Sequence, residues 1–352
     1  MTLSRTGSKR GGVRKRGVFT HTYQDIILVE NLLGAWKEFR KGKRFKQDVL
    51  EFQSDLIYQV TKLHQELKAK TYCHGAYYHF KIADPKPRDI HKASVRDRLL
   101  HHAIYRILYP YFDRTFIRDS YSCRIGKGTH KALERFRVFT YKVSKNHTRI
   151  AWVLKCDIRK FFASIDQQIL FSILQNHIAD PDTLWLLNQV ISSFSSNNIP
   201  TFARMLECSK GLPLGNLTSQ LLVNIYMNEF DQYVKHNLKA KYYIRYADDF
   251  VFLSHDKQEL EHTLLYIKVF LEEKLKLQLH PDKVSISTVA SGVDFLGWVH
   301  FSNHRVLRTA TKKRMFRRLK ERKGSKGEEA AKQSYVGMLG HGNTQKLQRM
   351  IV

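Results

Sequence analysis

Two adjacent acids, Asp248 and Asp249, interrupt a run that is otherwise aromatic and β-branched, Tyr242-Tyr-Ile-Arg-Tyr-Ala-Asp-Asp-Phe-Val-Phe-Leu253. Residues of that kind on both sides of a short polar break predict two strands joined as a β-hairpin, with the acids at the turn. Paired acids are common on solvated loops. Between strands that must bury their side chains they are rarely incidental, because each charge has to be desolvated or neutralised.

A third acid has a matching context. The apolar run Ile150 to Ile158 ends on Asp157 and reads as a central strand, followed by Ser164 and Gln167 in the spacing of a capping box. One acid at a strand end and two on a facing hairpin form an all-oxygen donor set of the kind Mg²⁺ takes. Two such ions about 4 Å apart activate a hydroxyl and neutralise a triphosphate.

The rest of the chain places these acids within a mixed fold. Helical periodicity runs from Asp25 to Phe39, from Asp48 to Leu67 through Val49, Phe52, Leu56, Val60 and Leu63, and again from Val95 to Leu108. A basic, proline-bearing segment, Lys81 to Lys92, breaks that pattern. Gly211 to Gln220 leads into a long helix through Phe230, and Asp256 with Glu259 opens another to about Leu275. Val284 to Ser287 with Val293 to Phe301 is expected to be a final strand pair, and Arg305 to Lys326 a basic helix.

Lys and Arg number 60 against 32 Asp and Glu, a net charge of +28, which points to a phosphate backbone as partner. The rival, an anionic membrane, is disfavoured because no apolar run reaches roughly 18 residues. Residues 1–20 carry Arg5, Lys9, Arg10, Arg14, Lys15 and Arg16 without an acid, and are expected to be a flexible basic arm lacking the apolar core of a secretory signal. Cys73, Cys123, Cys156 and Cys208 make no C-x-x-C pair, so reduced, mostly buried thiols in a cytosolic protein are expected.

Several motifs, in order, resemble the reverse transcriptase family. Tyr246-Ala-Asp-Asp249 is similar to its Y-x-D-D hairpin, Asp157-Ile-Arg-Lys-Phe-Phe162 to its first metal-binding motif, and Asp294-Phe-Leu-Gly-Trp298 to its primer-grip hairpin. Arg88 to Arg98 and Ser120 to His130 resemble two fingers motifs. The resemblance runs from about Lys43 to Phe301. It implies an α+β fold of right-hand polymerase architecture, with fingers, a palm built on an antiparallel sheet, and a small helical thumb. The implied division is an arm at 1–20, N-terminal helices and fingers at 21–149, a palm at 150–301 with a fingers segment inserted at about 168–210, and a short basic thumb at 302–352.

The resemblance also implies roles. Asp157, Asp248 and Asp249 would be catalytic and, with Ile158, would hold two Mg²⁺, Mn²⁺ being a possible substitute. Arg88, with Lys81 or Lys86, would hold the triphosphate; Phe162 would exclude a ribose 2′-hydroxyl while Phe161 packs; Lys283 would stand near the leaving pyrophosphate. Leu214 and Gly215 would border the nascent pair. Template and primer would meet Arg124, Gln220, Leu296, Gly297, Trp298, Lys312, Arg314, Arg317 and Arg318.

Within the family, Leu214-Gly-Asn-Leu-Thr-Ser-Gln220 resembles the reverse transcriptases of diversity-generating retroelements, in having Leu before the glycine and Gln at the end. That implies a cytoplasmic, bacterial or phage-encoded enzyme copying a template-repeat RNA with errors opposite adenine. Its partners would be template RNA, RNA/DNA hybrid, dNTPs and a small basic accessory protein. About fifty residues follow the primer-grip motif, too few for an RNase H, an integrase or a long intron-maturase extension. The alternatives are an orphan or abortive-infection reverse transcriptase, an RNA polymerase that bulky Phe162 argues against, and a non-enzymatic basic RNA-binding protein.

Overall fold

A computed structural model describes residues 18–84, 87–194 and 209–351. Most of the expected arm, Lys86, Cys208 and most of the loop after Ser192 lie outside them.

Four helices come first, α1 (Tyr23–Ile27), α2 (Val29–Phe39), α3 (Gln47–Ser54) and α4 (Leu56–Lys68). The single helix expected through Leu67 is two, because Asp55 leaves helical geometry at φ −115° and ψ 30°. The basic segment that follows is no mere break: it forms a hairpin of β1 (Tyr78–Ile82) and β2 (Arg88–Lys92). Helices α5 (Val95–Thr115) and α6 (Thr129–Val143) lead to β3 (Trp152–Cys156).

After β3 come α7 (Phe161–Ser164), α8 (Gln167–Gln175), α9 (Pro181–Ser192) and α10 (Leu217–His236), then the hairpin β4 (Tyr243–Tyr246) and β5 (Asp249–Ser254). The chain closes with α11 (Lys257–Leu275), β6 (Ser285–Thr288), β7 (Val293–Phe295), β8 (Trp298–His300), β9 (Arg305–Leu307), α12 (Thr309–Arg322), α13 (Glu328–Leu339) and α14 (Gln345–Arg349). Among the described residues no helix is long and apolar enough to cross a membrane.

The central sheet is antiparallel, in the order β4-β5-β3-β6. Strands β3, β4 and β5 are largely apolar because both their faces are covered, whereas β6, at the edge, is Ser-Ile-Ser-Thr and only partly buried. Leu154, Cys156, Tyr243, Phe250 and Phe252 enter a core shared with α2, α5, α8, α10 and α11. Val153, Ile244, Val251 and Leu253, pointing the other way, enter a second core with α6, β7, β8, α12 and α13. The sheet is thereby clamped, and the loops at its ends have a rigid base.

Local readings needed five further corrections. Ser164 closes α7, its hydroxyl donating to the Arg159 carbonyl at 3.2 Å; the cap of α8 is Asp166, which accepts from the Gln168 and Ile169 amides at 3.0 and 3.1 Å. Asp256 caps α11 as expected, but Glu259 accepts from Ser254 Oγ instead of the Asp256 amide. The final strand pair does not form: β6 joins β3, while β7 pairs with β8 in a separate three-stranded sheet. Arg305 to Leu307 is that sheet's third strand, and the basic helix starts only at Thr309. The described cysteines are unpaired, yet Cys73 and Cys123 are exposed and Cys156 alone is buried.

Candidate active site

Asp157 follows the last residue of β3, whose register sets Cys156 beside Phe250 and hence the strand end beside the start of β5. On the hairpin, Tyr246 pairs with Asp249 and leaves Ala247 and Asp248 as the turn. Ala247 has φ +56°, the left-handed conformation such tight turns require. Sheet pairing therefore brings Asp157, Asp248 and Asp249, some ninety residues apart in sequence, to one edge of the central sheet.

The pairing that gathers them also shapes their ionisation. Burial raises Asp248 above its ordinary carboxylate value; the charge of Asp157 adds to the rise, and Lys283 and Arg88 oppose it. Burial, then the adjacent Asp248, pushes Asp249 up to about 6. Acids that resist ionisation beside one another are a common mark of functional sites, and a cation relieves them. One cation is in place: Lys283 Nζ lies 2.9 Å from Asp157 Oδ1. A 3-10 turn at Pro281–Lys283 holds that lysine, and the His280 amide donates to the Asp157 carbonyl at 2.8 Å. Among the described residues no three His, Cys, Asp or Glu side chains converge into a ligand cage, so the acids are coupled without yet forming one.

Arg245 is a residue the sequence reading passed over. It is fully buried and forms a two-pronged ion pair with Asp231 of α10, Nη2 to Oδ2 being 2.7 Å. It also donates to Asn224 Oδ1, Ser120 Oγ and the Ala247 carbonyl, each at 3.2 Å. A guanidinium inside an apolar strand thus ties the turn that carries Asp248 to α10 and to the loop before α6. Its signal was an Arg between Ile244 and Tyr246, where a strand buried on both faces offers it no water.

The hairpin β1–β2 is stitched to the segment before α10: the His91 amide donates to the Leu214 carbonyl and Asn216 Nδ2 to the His91 carbonyl, both at 3.1 Å. Gly215 has φ +116°, and a Cβ there would stand 3.1 Å from Ile90 Cγ2. Arg88 shares the face of Ile90, two residues on, and so looks toward Leu214 and Gly215. Lys81 does not join them. It pairs across the hairpin with Asp89, on the opposite face. Leu214 is half-buried, as is Phe162, whereas Phe161 is buried and meets the Phe162 ring edge-on at 5.6 Å. Ile158 is buried at the strand end and bridges to Leu279.

The residues expected on template and primer are dispersed. Arg124 is buried and bonded to Asp113 and the carbonyls of Ile117 and Ser120, so no N–H fork is left for a phosphate. Trp298 is a core residue of the second cluster. Leu296 and Gly297, with φ +51° and +86°, form the two-residue turn between β7 and β8. Gln220 is half-buried in the first turn of α10. Lys312, Arg314, Arg317 and Arg318 all lie on α12, and the last two pair with Asp84 beyond β1, Arg317 Nη2 at 3.1 Å and Arg318 Nη2 at 2.7 Å.

Comparison with known proteins agrees with this geometry. A profile of the family described as "Reverse transcriptase (RNA-dependent DNA polymerase)" matches residues 83–300. Protein YkfC of Escherichia coli is 28% identical over 255 residues, covering 63% of this chain and 64% of its own length. The group II intron-encoded protein LtrA of Lactococcus lactis is 23% identical over 365 residues, covering 84% of this chain and 58% of LtrA. The chain thus spans about three fifths of the length of these relatives. Among solved structures, apo telomerase from Candida tropicalis matches with a TM-score of 0.48 and 11% identity, covering 72% of this chain and 60% of that one. With the matched segment containing the acids, the β4–β5 hairpin that carries two of them and the central antiparallel sheet, the architecture is α+β of the right-hand polymerase class, and the chain belongs to the reverse transcriptase family.

Proposed function

We propose that the chain is an RNA-directed DNA polymerase, and that its working template is the repeat RNA of a diversity-generating retroelement, copied with frequent errors opposite adenine. The observation that carries the polymerase reading is the sheet register that brings Asp157 and the Asp248–Asp249 turn to the same end of the central sheet. Asp157, Asp248, Asp249 and the Ile158 carbonyl would hold two Mg²⁺, for which Mn²⁺ could substitute. The donor set is all hard oxygen, and the acids' mutual repulsion is what a divalent cation would offset. Bound there, the ions would activate a 3′-hydroxyl and neutralise the triphosphate.

The chain's own residues do the rest. Arg88 meets the incoming phosphates from the β2 face turned toward Leu214 and Gly215, with Lys86 assisting. Phe162 sets its half-buried ring under the sugar and excludes a 2′-hydroxyl, and Lys283, released from Asp157, faces the departing pyrophosphate. The palm takes residues 150–301 with a fingers segment inserted at about 168–210, the fingers 21–149 and the thumb 302–352. On α12, Lys312, Arg314, Arg317 and Arg318 grip the phosphates of an RNA/DNA hybrid. An accessory protein of small size and basic charge would join the template RNA, in the cytoplasm of a bacterium.

Leu214 and Gln220 support the retroelement reading. Leucine has no group with which to hydrogen-bond the nascent pair, so a polar constraint present with Gln is lost. A second reading, an intron-type enzyme, is favoured by the LtrA match over most of the chain. Sequencing cDNA copied from a defined RNA separates them. We expect errors concentrated at template adenines, falling several-fold in Leu214→Gln. Faithful copying by the parent enzyme, or an unchanged profile in the variant, would overturn the retroelement assignment.

A further inference from the structure

A pocket of about 290 Å³ opens where the chain leaves β3 and α11. Of its seven lining residues four are cationic, Arg159, Lys160, Lys210 and Lys276, and none is acidic. Lys and Arg make up 60 of the 352 residues, about one in six, so four in seven is a local concentration of charge. Ser164 and Gln278 add a hydroxyl and an amide to the lining. Arg159, Lys160 and Lys276 are exposed and Lys210 is half-buried.

Backbone pairing builds the pocket onto the strip that carries the first acid. Asp157, Ile158 and Arg159 run alongside Gln278, Leu279 and His280. The His280 amide donates to the Asp157 carbonyl at 2.8 Å, Ile158 bridges to Leu279, and the Arg159 amide donates to the Gln278 carbonyl at 2.9 Å. Lys210 is brought in from the other side, where it bridges to Asp166 while the Gly211 amide donates to the Ile165 carbonyl at 2.8 Å. The acids and the pocket therefore adjoin on one strip. Neither the three acids nor Arg88 or Lys283 lines the pocket, which makes it a separate space.

Four like charges around one concave space repel one another, and the walls focus their field into it. Lys283, close by, is matched by Asp157. Among the described residues no ion pair holds Arg159, Lys160 or Lys276, so an anion from outside is what offsets their repulsion. Each phosphate of a nucleic-acid backbone brings a single negative charge, whereas a polyphosphate carries several on adjacent groups. The volume lies just under the roughly 300–1,000 Å³ of drug-sized ligands, which suits a compact anion without a nucleoside. We propose that this pocket binds a polyphosphate of pyrophosphate size, with Arg159 as a hydrogen-bonding fork and the three lysines as point charges. On the proposed function its source is the pyrophosphate released at the acids; that choice rests on that reading, while the site itself does not.

Equilibrium dialysis of radiolabelled pyrophosphate against the full chain in EDTA tests the site, since without metal the acids repel the probe. Lys160 and Lys276 have left-handed φ of +46° and +51°, a conformation that Asn tolerates, so Lys160→Asn with Lys276→Asn removes two charges and keeps the backbone. That pair should weaken binding about ten-fold or more, and Arg159→Gln alone several-fold. The matched control is Lys145→Asn with Lys239→Asn, which takes the same charge from two left-handed lysines outside the pocket, φ +45° and +53°. It should stay within about two-fold of the parent, because salt screens charges that distant. Equal loss in both pairs, or none in the pocket pair, would overturn the site. Displacement of the probe by an RNA octamer at lower concentration than by unlabelled pyrophosphate would overturn the polyphosphate in favour of an RNA backbone. Pyrophosphate bound here by a chain that makes no cDNA would count against the polymerase reading and uphold this site.

Discussion

Arg245 shows what a single buried charge does for the candidate site. Its partner Asp231 also accepts from the Tyr243 hydroxyl at 2.8 Å, so strand, helix and turn meet at one carboxylate. In Arg245→Met, Asp231 keeps its buried charge without the guanidinium, and the loss expected is about 3–5 kcal/mol in urea unfolding. A change below about 1 kcal/mol would show that the pair does not hold the turn. Asp249 illustrates the opposite strain. Its folded pKa of about 6 exceeds its ordinary 3.8, so the folded chain binds that proton more tightly than the unfolded one. The contribution of this group to stability is therefore greatest at low pH and falls as pH rises from about 4 to about 6. In chelator, Asp249→Asn should gain Tm relative to the parent progressively over that window. A constant difference from pH 4 to 7 would contradict the coupling of the acids.

At the scale of elements, the parts written in local periodicity were legible and the pairings were not. Helices α2, α5 and α10 and strands β3 to β5 follow from side-chain spacing, because a long amphipathic or doubly buried segment satisfies itself in one way. Strand β6 is four residues long and β9 three, too short to show a period, and their partners are chosen by distant chain. The acids were found since charge in an apolar strand is conspicuous. Arg124 is the converse case: a basic residue in a loop motif looks identical whether it faces phosphate or Asp113, the partner it has in this structure. Arg317 and Arg318 raise the same question across a longer distance, since Asp84 holds them against the β1–β2 hairpin. Asp84→Ala should release both guanidiniums from the hairpin, leaving Arg317 only its 3.5 Å pair with Glu321, and tighten an RNA/DNA hybrid a few-fold in anisotropy measurements, with a steeper dependence on salt. Unchanged affinity and salt slope would remove these two residues from the hybrid-binding surface.

Across the whole molecule, one antiparallel sheet is held between two apolar cores, and the acids lie at one end of that sheet. The first core joins the N-terminal helices to α10 and α11, the second joins α6 to the last helices. Such a base lets the charged edge bear unfavourable ionisation without yielding, which is how strain is usually maintained at functional sites. On the proposed function, the excess of basic residues serves the long-range attraction of a polyanion, independent of the chemistry of the acids. Primer extension on a defined RNA template with Mg²⁺, comparing dNTPs with rNTPs and the parent chain with Asp248→Asn, tests the central claim most directly. The account predicts DNA synthesis from dNTPs by the parent, little product from rNTPs, and loss of synthesis in Asp248→Asn with RNA affinity kept within about two-fold, since one ligand and no basic surface is removed. Synthesis retained by Asp248→Asn would contradict it.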